Sequence, residues 1–124
     1  MLTLEQFKAA RATLQGVIRT TSLIHSPALS KACGNQVYLK PENMQVTGAY
    51  KIRGAYYKIS TLSEEEKARG LITASAGNHA QGLAYAAQAA GVPATIVMPT
   101  TTPLVKVNNT KDYGARVILH GEAF

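Results

Sequence analysis

Apolar residues follow two rhythms along this chain. In its first half they recur every three or four positions; further on they gather in short runs separated by helical stretches. Leu4, Phe7, Leu14 and Ile18 fall near one helical face, and Thr3 with Gln6 fits a capping box. A first helix therefore starts at Thr3 and ends around Gly16 to Ile18. "TTSLIHSPALSKACGN" reads as loop with a turn of helix from Pro27 to Ala32, and "QVYLKPE" as a short strand stopped by Pro41. From Gly48 a second helix is expected, because Ile52, Ala55, Tyr56, Ile59 and Leu62 keep helical spacing. "SEEEKARG" predicts a third, with Ser63 and Glu66 as capping box, early glutamates at the positive dipole end and Gly70 as its stop.

Then the rhythm changes. "LITAS", "PATIVMP" and "ARVILHG" read as short buried strands. Between them lie an alanine-rich helix closed by Gly91 and a helix, "PLVKVNNTKDYG", stopped by Gly114. This β-α-β-α-β order with continuous apolar strands predicts the α/β class: an open parallel sheet with helices on both faces and right-handed crossovers. Ligands in such sheets bind beyond the carboxyl ends of the strands. The loops due there are "SAGNHA", "PTTTP" and "HGEAF".

Composition narrows the functions. The chain has 124 residues, 46% hydrophobic and 16% charged, which suits one folded domain and argues against disorder. No apolar run is long enough for a membrane span, and the N-terminus lacks the apolar core of a signal peptide. A single cysteine, Cys33, suits a reducing compartment, so a cytoplasmic location is expected. The net charge of +6 is spread evenly rather than gathered into a patch, which disfavours nucleic acid and leaves room for a small anion. His25 and His120 have no metal-ligand spacing, and no metal site is expected.

Two stretches could carry chemistry. In "SAGNHAQG", Ser75 offers a hydroxyl and Gly77 lets the backbone come close. The N–H groups of Asn78 and His79 would point outward at a helix start, where a carboxylate or phosphate is a natural guest. An ordinary capped strand-to-helix loop explains the same residues. Nucleotide motifs do not match. In "TGAYKIRGA", Lys51 would sit in the first turn of a helix, where the dipole disfavours a cation. Arg53 nearby would push the same way, and a neutral lysine attacks carbonyls. A surface lysine beside core residues is the plainer alternative.

"KPENMQVTGAYKIRGAYYKI" together with "SAGNHAQGLAYAA" resembles the threonine dehydratase (threonine ammonia-lyase) family, fold-type II enzymes that use pyridoxal 5′-phosphate. The resemblance runs over nearly the whole chain, and the two motifs in this order are specific. It implies that Lys51 holds the cofactor as a Schiff base and then acts as the base at Cα. Tyr50, where the family more often has phenylalanine, would lie against the cofactor ring, and Asn78 would bond the ring 3′-oxygen. Ser75, Ala76, Gly77, Asn78 and His79 would grip the substrate carboxylate; Ala76 is often serine in the family, which leaves backbone donors to suffice.

The implied reaction deaminates L-threonine, and L-serine, to 2-oxobutanoate or pyruvate and ammonia by α,β-elimination, with a role in isoleucine biosynthesis. A homo-oligomer is expected at full length. The family's glycine-rich phosphate loop and its partner to the pyridine nitrogen are not found here. Residues 1–50 therefore read as the start of the large cofactor domain and 51–124 as most of the small mobile domain, inactive alone. Two alternatives stay open: a serine racemase or another β-eliminating or β-replacing enzyme of this fold, and a non-catalytic truncated binding module.

Overall fold

Both capping boxes form. The computed structural model describes residues 1–123. In helix α1 (Leu4–Leu14), the Gln6 N–H donates to Thr3 Oγ1 at 3.4 Å and the Thr3 N–H donates back to Gln6 Oε1 at 2.8 Å. In α4 (Glu64–Arg69), Ser63 and Glu66 exchange the same two bonds at 3.1 and 2.8 Å. Each box satisfies two N–H groups that a helix start otherwise leaves unpaired. Helix α1 stops earlier than its apolar spacing suggests. Gln15 turns extended and Gly16 takes a φ of 82°, so Ile18 falls outside it. Leu4 and Phe7 are exposed; only Leu14 of the expected stripe is buried, because α1 lies at the rim of the molecule.

The next elements are small. Strand β1 (Ile24–His25) pairs antiparallel with β2 (Tyr38–Leu39), and α2 (Pro27–Cys33) joins them. The segment holding β1 reads as loop in sequence because a two-residue strand shows no period. Cys33 at the end of α2 is exposed. A 3-10 turn, Glu42–Met44, leads to α3 (Lys51–Ser60).

The second half follows the expected order. Strands β3 (Leu71–Ala74), β4 (Ala94–Met98) and β5 (Arg116–Leu119) form a parallel sheet with β4 in the middle. Leu71 faces Ala94 in register, and Met98 faces Leu119. Helices α5 (Asn78–Ala90) and α6 (Leu104–Asp112) connect the strands and pack side by side over Ala94, Ile96 and Met98. Gly91 ends α5 in the left-handed conformation, with φ 68°.

Helix α5 is a middle layer, with the sheet on one side and α3 on the other. Its buried residues are Gln81 and the small Ala80, Gly82, Ala84, Ala86 and Ala87, and the small ones allow close helix approach. The described helices cover one face of the sheet. The other, carrying Ile72, Thr95, Val97 and Ile118, stays largely open, with Ile72 75% exposed. The expectation of helices on both faces is thus met on one face by the described elements. A strand pattern states that a face is apolar, not which segment will cover it.

Candidate active site

Lys51 is the first residue of α3. The chain reaches it through a tight, anchored loop. Gln45 is buried; its side chain accepts from the Arg19 and Val46 N–H groups and donates to the Arg19 carbonyl. Gly48 then turns with φ 70°, a conformation that favours glycine. Thr47 and Ala49 are buried while Tyr50 and Lys51 are exposed. Among the described residues, Lys51 Nζ has no hydrogen-bond or ion-pair partner, so its amine is available at the helix mouth.

Arg53 serves a different purpose from the one its place in sequence suggests. Its Nε and Nη2 donate to both carboxylate oxygens of Glu42 at 2.9 and 2.8 Å. The Thr21 hydroxyl donates to the same carboxylate at 2.7 Å, and Lys40 Nζ donates to the Thr21 carbonyl. The Arg53 hydrogen bonds hold the Glu42 carboxyl below its ordinary range, against an opposing push from burial, with Thr21 helping. Glu42 in turn raises Arg53. The guanidinium is neutralised in this forked pair and is not a free cation beside Lys51. It ties the start of α3 to the 3-10 turn that precedes the Lys51 loop.

The second stretch lies at the start of α5. Ser75 Oγ accepts from the Gly77 and Ala80 N–H groups at 3.4 and 3.3 Å. Its hydroxyl oxygen shapes the loop as an acceptor, while its O–H has no acceptor among the described residues and is free to donate. The N–H groups of Ala76, Asn78 and His79 have no protein acceptor among the described residues. An added Cβ at Gly77 would meet open space, so the loop is approachable from solvent. Unpaired N–H groups at the start of a 13-residue helix favour an anion.

The two stretches meet through Gly82, one turn beyond Asn78 on α5. A Cβ there would stand 3.1 Å from the Ile52 backbone N and 3.3 Å from the Lys51 carbonyl carbon. The Lys51 backbone thus sits about 6 Å along the α5 axis from Asn78. The backbone that carries Lys51 and a set of unpaired N–H groups therefore share one corner of the molecule. That donor set suits an aldehyde-bearing anion. A groove of about 960 Å³ lies elsewhere, between α1 and α3, and is lined by neither Lys51 nor Asn78.

The family of pyridoxal-phosphate dependent enzymes matches residues 14–124. The chain belongs to this family. It is 56% identical over 124 residues to an L-threonine ammonia-lyase of Thermotoga maritima, covering all of this chain and 31% of that protein. It is 54% identical over 126 residues to an L-threonine dehydratase catabolic TdcB of Staphylococcus aureus, covering 36% of it. Among solved structures, maize serine racemase superimposes with a TM-score of 0.90 at 35% identity, over 98% of this chain and 37% of that one. A threonine deaminase isoform of Solanum lycopersicum gives 0.83 at 38% identity, over 99% and 37%. The chain thus spans about a third of the length of these relatives. Its fold is the corresponding part of a fold-type II pyridoxal-phosphate enzyme, as the two motifs implied.

Three contributors escape a reading of the motifs alone: the buried anchor Gln45, the close approach at Gly82, and the α6 side chain Lys106, whose Nζ lies 3.5 Å from Asn78 Oδ1. Gly82 did leave a signal. An isolated glycine inside a helical pattern costs about 1 kcal/mol against alanine and marks a packing demand.

Proposed function

We propose that this chain belongs to an ammonia-lyase that deaminates L-threonine, and L-serine, by α,β-elimination to 2-oxobutanoate or pyruvate and ammonia. The observation that carries the reading is the available Lys51 amine, its backbone packed on Gly82 one turn from the open N–H groups of the α5 mouth. The names of the Thermotoga and Staphylococcus relatives support the substrate.

Lys51 would hold pyridoxal 5′-phosphate covalently, with the Tyr50 ring beside it and the Asn78 amide on its ring 3′-oxygen. The bound cofactor supplies an electron sink that makes the substrate Cα proton removable. The N–H groups of Ala76, Asn78 and His79 would take the substrate carboxylate and fix Cα near Lys51. Ser75 holds that loop in shape, and Gly77 keeps it open. The Lys51 amine would take the Cα proton, the β-hydroxyl would leave as water, and the resulting enamine, tautomerised to an imine, would be hydrolysed to the oxo acid and ammonia. Residues 1–50 would belong to the cofactor domain and 51–124 to the smaller one, in a homo-oligomeric, cytoplasmic protein. Between a supply of isoleucine precursor and a degradative role, the word catabolic in the Staphylococcus names favours the second.

A racemase reading has one observation behind it, the close superposition on maize serine racemase. Both readings are tested in a polypeptide that joins this chain to the full length of its relatives. Release of 2-oxobutanoate from L-threonine, lost in Lys51→Ala, supports the lyase. D-serine formed from L-serine faster than pyruvate would favour the racemase. Robust turnover in Lys51→Ala would overturn both.

A further inference from the structure

Helices α5 and α6 are joined by two polar rungs that step three residues along each helix. Lys106 Nζ lies 3.5 Å from Asn78 Oδ1, and Asn109 Nδ2 donates to Gln81 Oε1 at 3.3 Å. Gln81 is only 4% exposed, and the buried Val107 and Thr110 seat α6 beside it. The Thr110 hydroxyl donates to the Lys106 carbonyl at 2.8 Å, so the turn that carries Lys106 is held. The inner rung sets the register of the helices, and that register delivers Lys106 to the mouth of α5.

A carboxamide has two ends of nearly equal shape and opposite hydrogen-bonding sense. A lysine ammonium can only donate, so it accepts the oxygen end alone. With Oδ1 turned to Lys106, the Nδ2 end of Asn78 is left facing away as a donor. The ring 3′-oxygen of pyridoxal phosphate, when ionised, is an acceptor that requires such a donor. We propose that Lys106 is a positioning residue: it selects the orientation of the Asn78 carboxamide and adds positive charge beside the oxygen that Asn78 binds. The proposal rests on the cofactor role given to Asn78 above. It adds a residue that touches neither substrate nor reacting atoms.

The first test needs no cofactor. In the isotope-labelled chain, the Asn78 side-chain amide resonances shift in Lys106→Met, stay close to wild type in Lys106→Arg, and are unaffected in Lys111→Met, which removes a neighbouring exposed lysine of α6. The second test adds pyridoxal phosphate to the polypeptide that joins this chain to the full length of its relatives, records the absorption, and then traps the cofactor on lysines with borohydride. Lys51 is labelled in every variant, but Lys106→Met needs about three- to tenfold more cofactor for half-labelling. The ratio of its visible to near-ultraviolet absorption falls, because that ratio reports the ionisation of the ring oxygen. Unchanged Asn78 resonances in Lys106→Met would overturn the proposal. Absence of Lys51 labelling in every variant would overturn the cofactor reading instead, while the amide resonances would still decide whether Lys106 orients Asn78.

Discussion

Gly82 of α5 lies directly against the backbone nitrogen of Ile52, the residue that follows Lys51. A Cβ at position 82 would approach that nitrogen to 3.1 Å, closer than a relaxed contact. Two segments 30 positions apart in sequence are therefore spaced by backbone rather than by side chains. A single methyl on α5 would displace the start of α3, and with it the lysine.

Substitution at Gly82 follows from that spacing. Alanine improves helix propensity by about 1 kcal/mol but must push the start of α3 by a few tenths of an ångström, so the two effects nearly cancel. Leucine cannot be absorbed and destabilises the chain by about 2–3 kcal/mol in urea unfolding. Gly54→Ala, on α3 with open space around the new methyl, should gain about 0.5–1 kcal/mol. Equal behaviour of Gly54→Ala and Gly82→Leu would refute the close approach.

The Glu42–Arg53 pair makes stability depend on acidity. Its Arg53 hydrogen bonds depress the Glu42 pKa on folding. A carboxylate lowered in this way stabilises the fold above its ordinary value of about 4.3 and loses that contribution as pH falls through the lowered value. Glu42→Gln should cost about 1–3 kcal/mol at neutral pH, and its stability should vary less than wild type across the acid range. Urea titrations from neutral pH downward decide it; parallel acid profiles for the two proteins would refute it.

Lys51→Ala should leave stability within about 0.5 kcal/mol of wild type, because the side chain is exposed and has no partner among the described residues. Cofactor trapping at position 51 is lost, and so is turnover in the full-length polypeptide. A collapse of thermal stability in this variant would mean that Lys51 is structural.

Ser75→Ala removes the acceptor for the Gly77 and Ala80 N–H groups. It should cost about 1 kcal/mol, as loss of a helix cap does. Because the loop proposed to take the substrate carboxylate loses its shape, KM for threonine in the full-length polypeptide should rise more than kcat falls. A change in kcat alone would give Ser75 a direct part in the chemistry.

The legible part of this protein was that in which local chemistry decides local structure. The capping residues at Thr3 and Ser63, the stop at Gly91 and the strand–helix alternation after Gly70 all act within a few positions of themselves. Lys51 and the loop from Ser75 to His79 stood out as candidates because their motifs are compact. What stayed hidden depends on distant partners. Arg53 reads as a cation near Lys51 until Glu42, 11 positions earlier, is seen to neutralise it. Leu4 and Phe7 read as core until α1 is seen at the rim, and nothing local says that Lys106 reaches Asn78.

The open face of the sheet has a consequence for anyone handling the chain in solution. Ile72, Val97 and Ile118 line one side of three strands with no described helix above them. Contiguous apolar surface of this kind drives association. The mass of the purified chain will therefore rise with concentration, and a charge placed at Ile72 will keep it dispersed without touching the corner that holds Lys51.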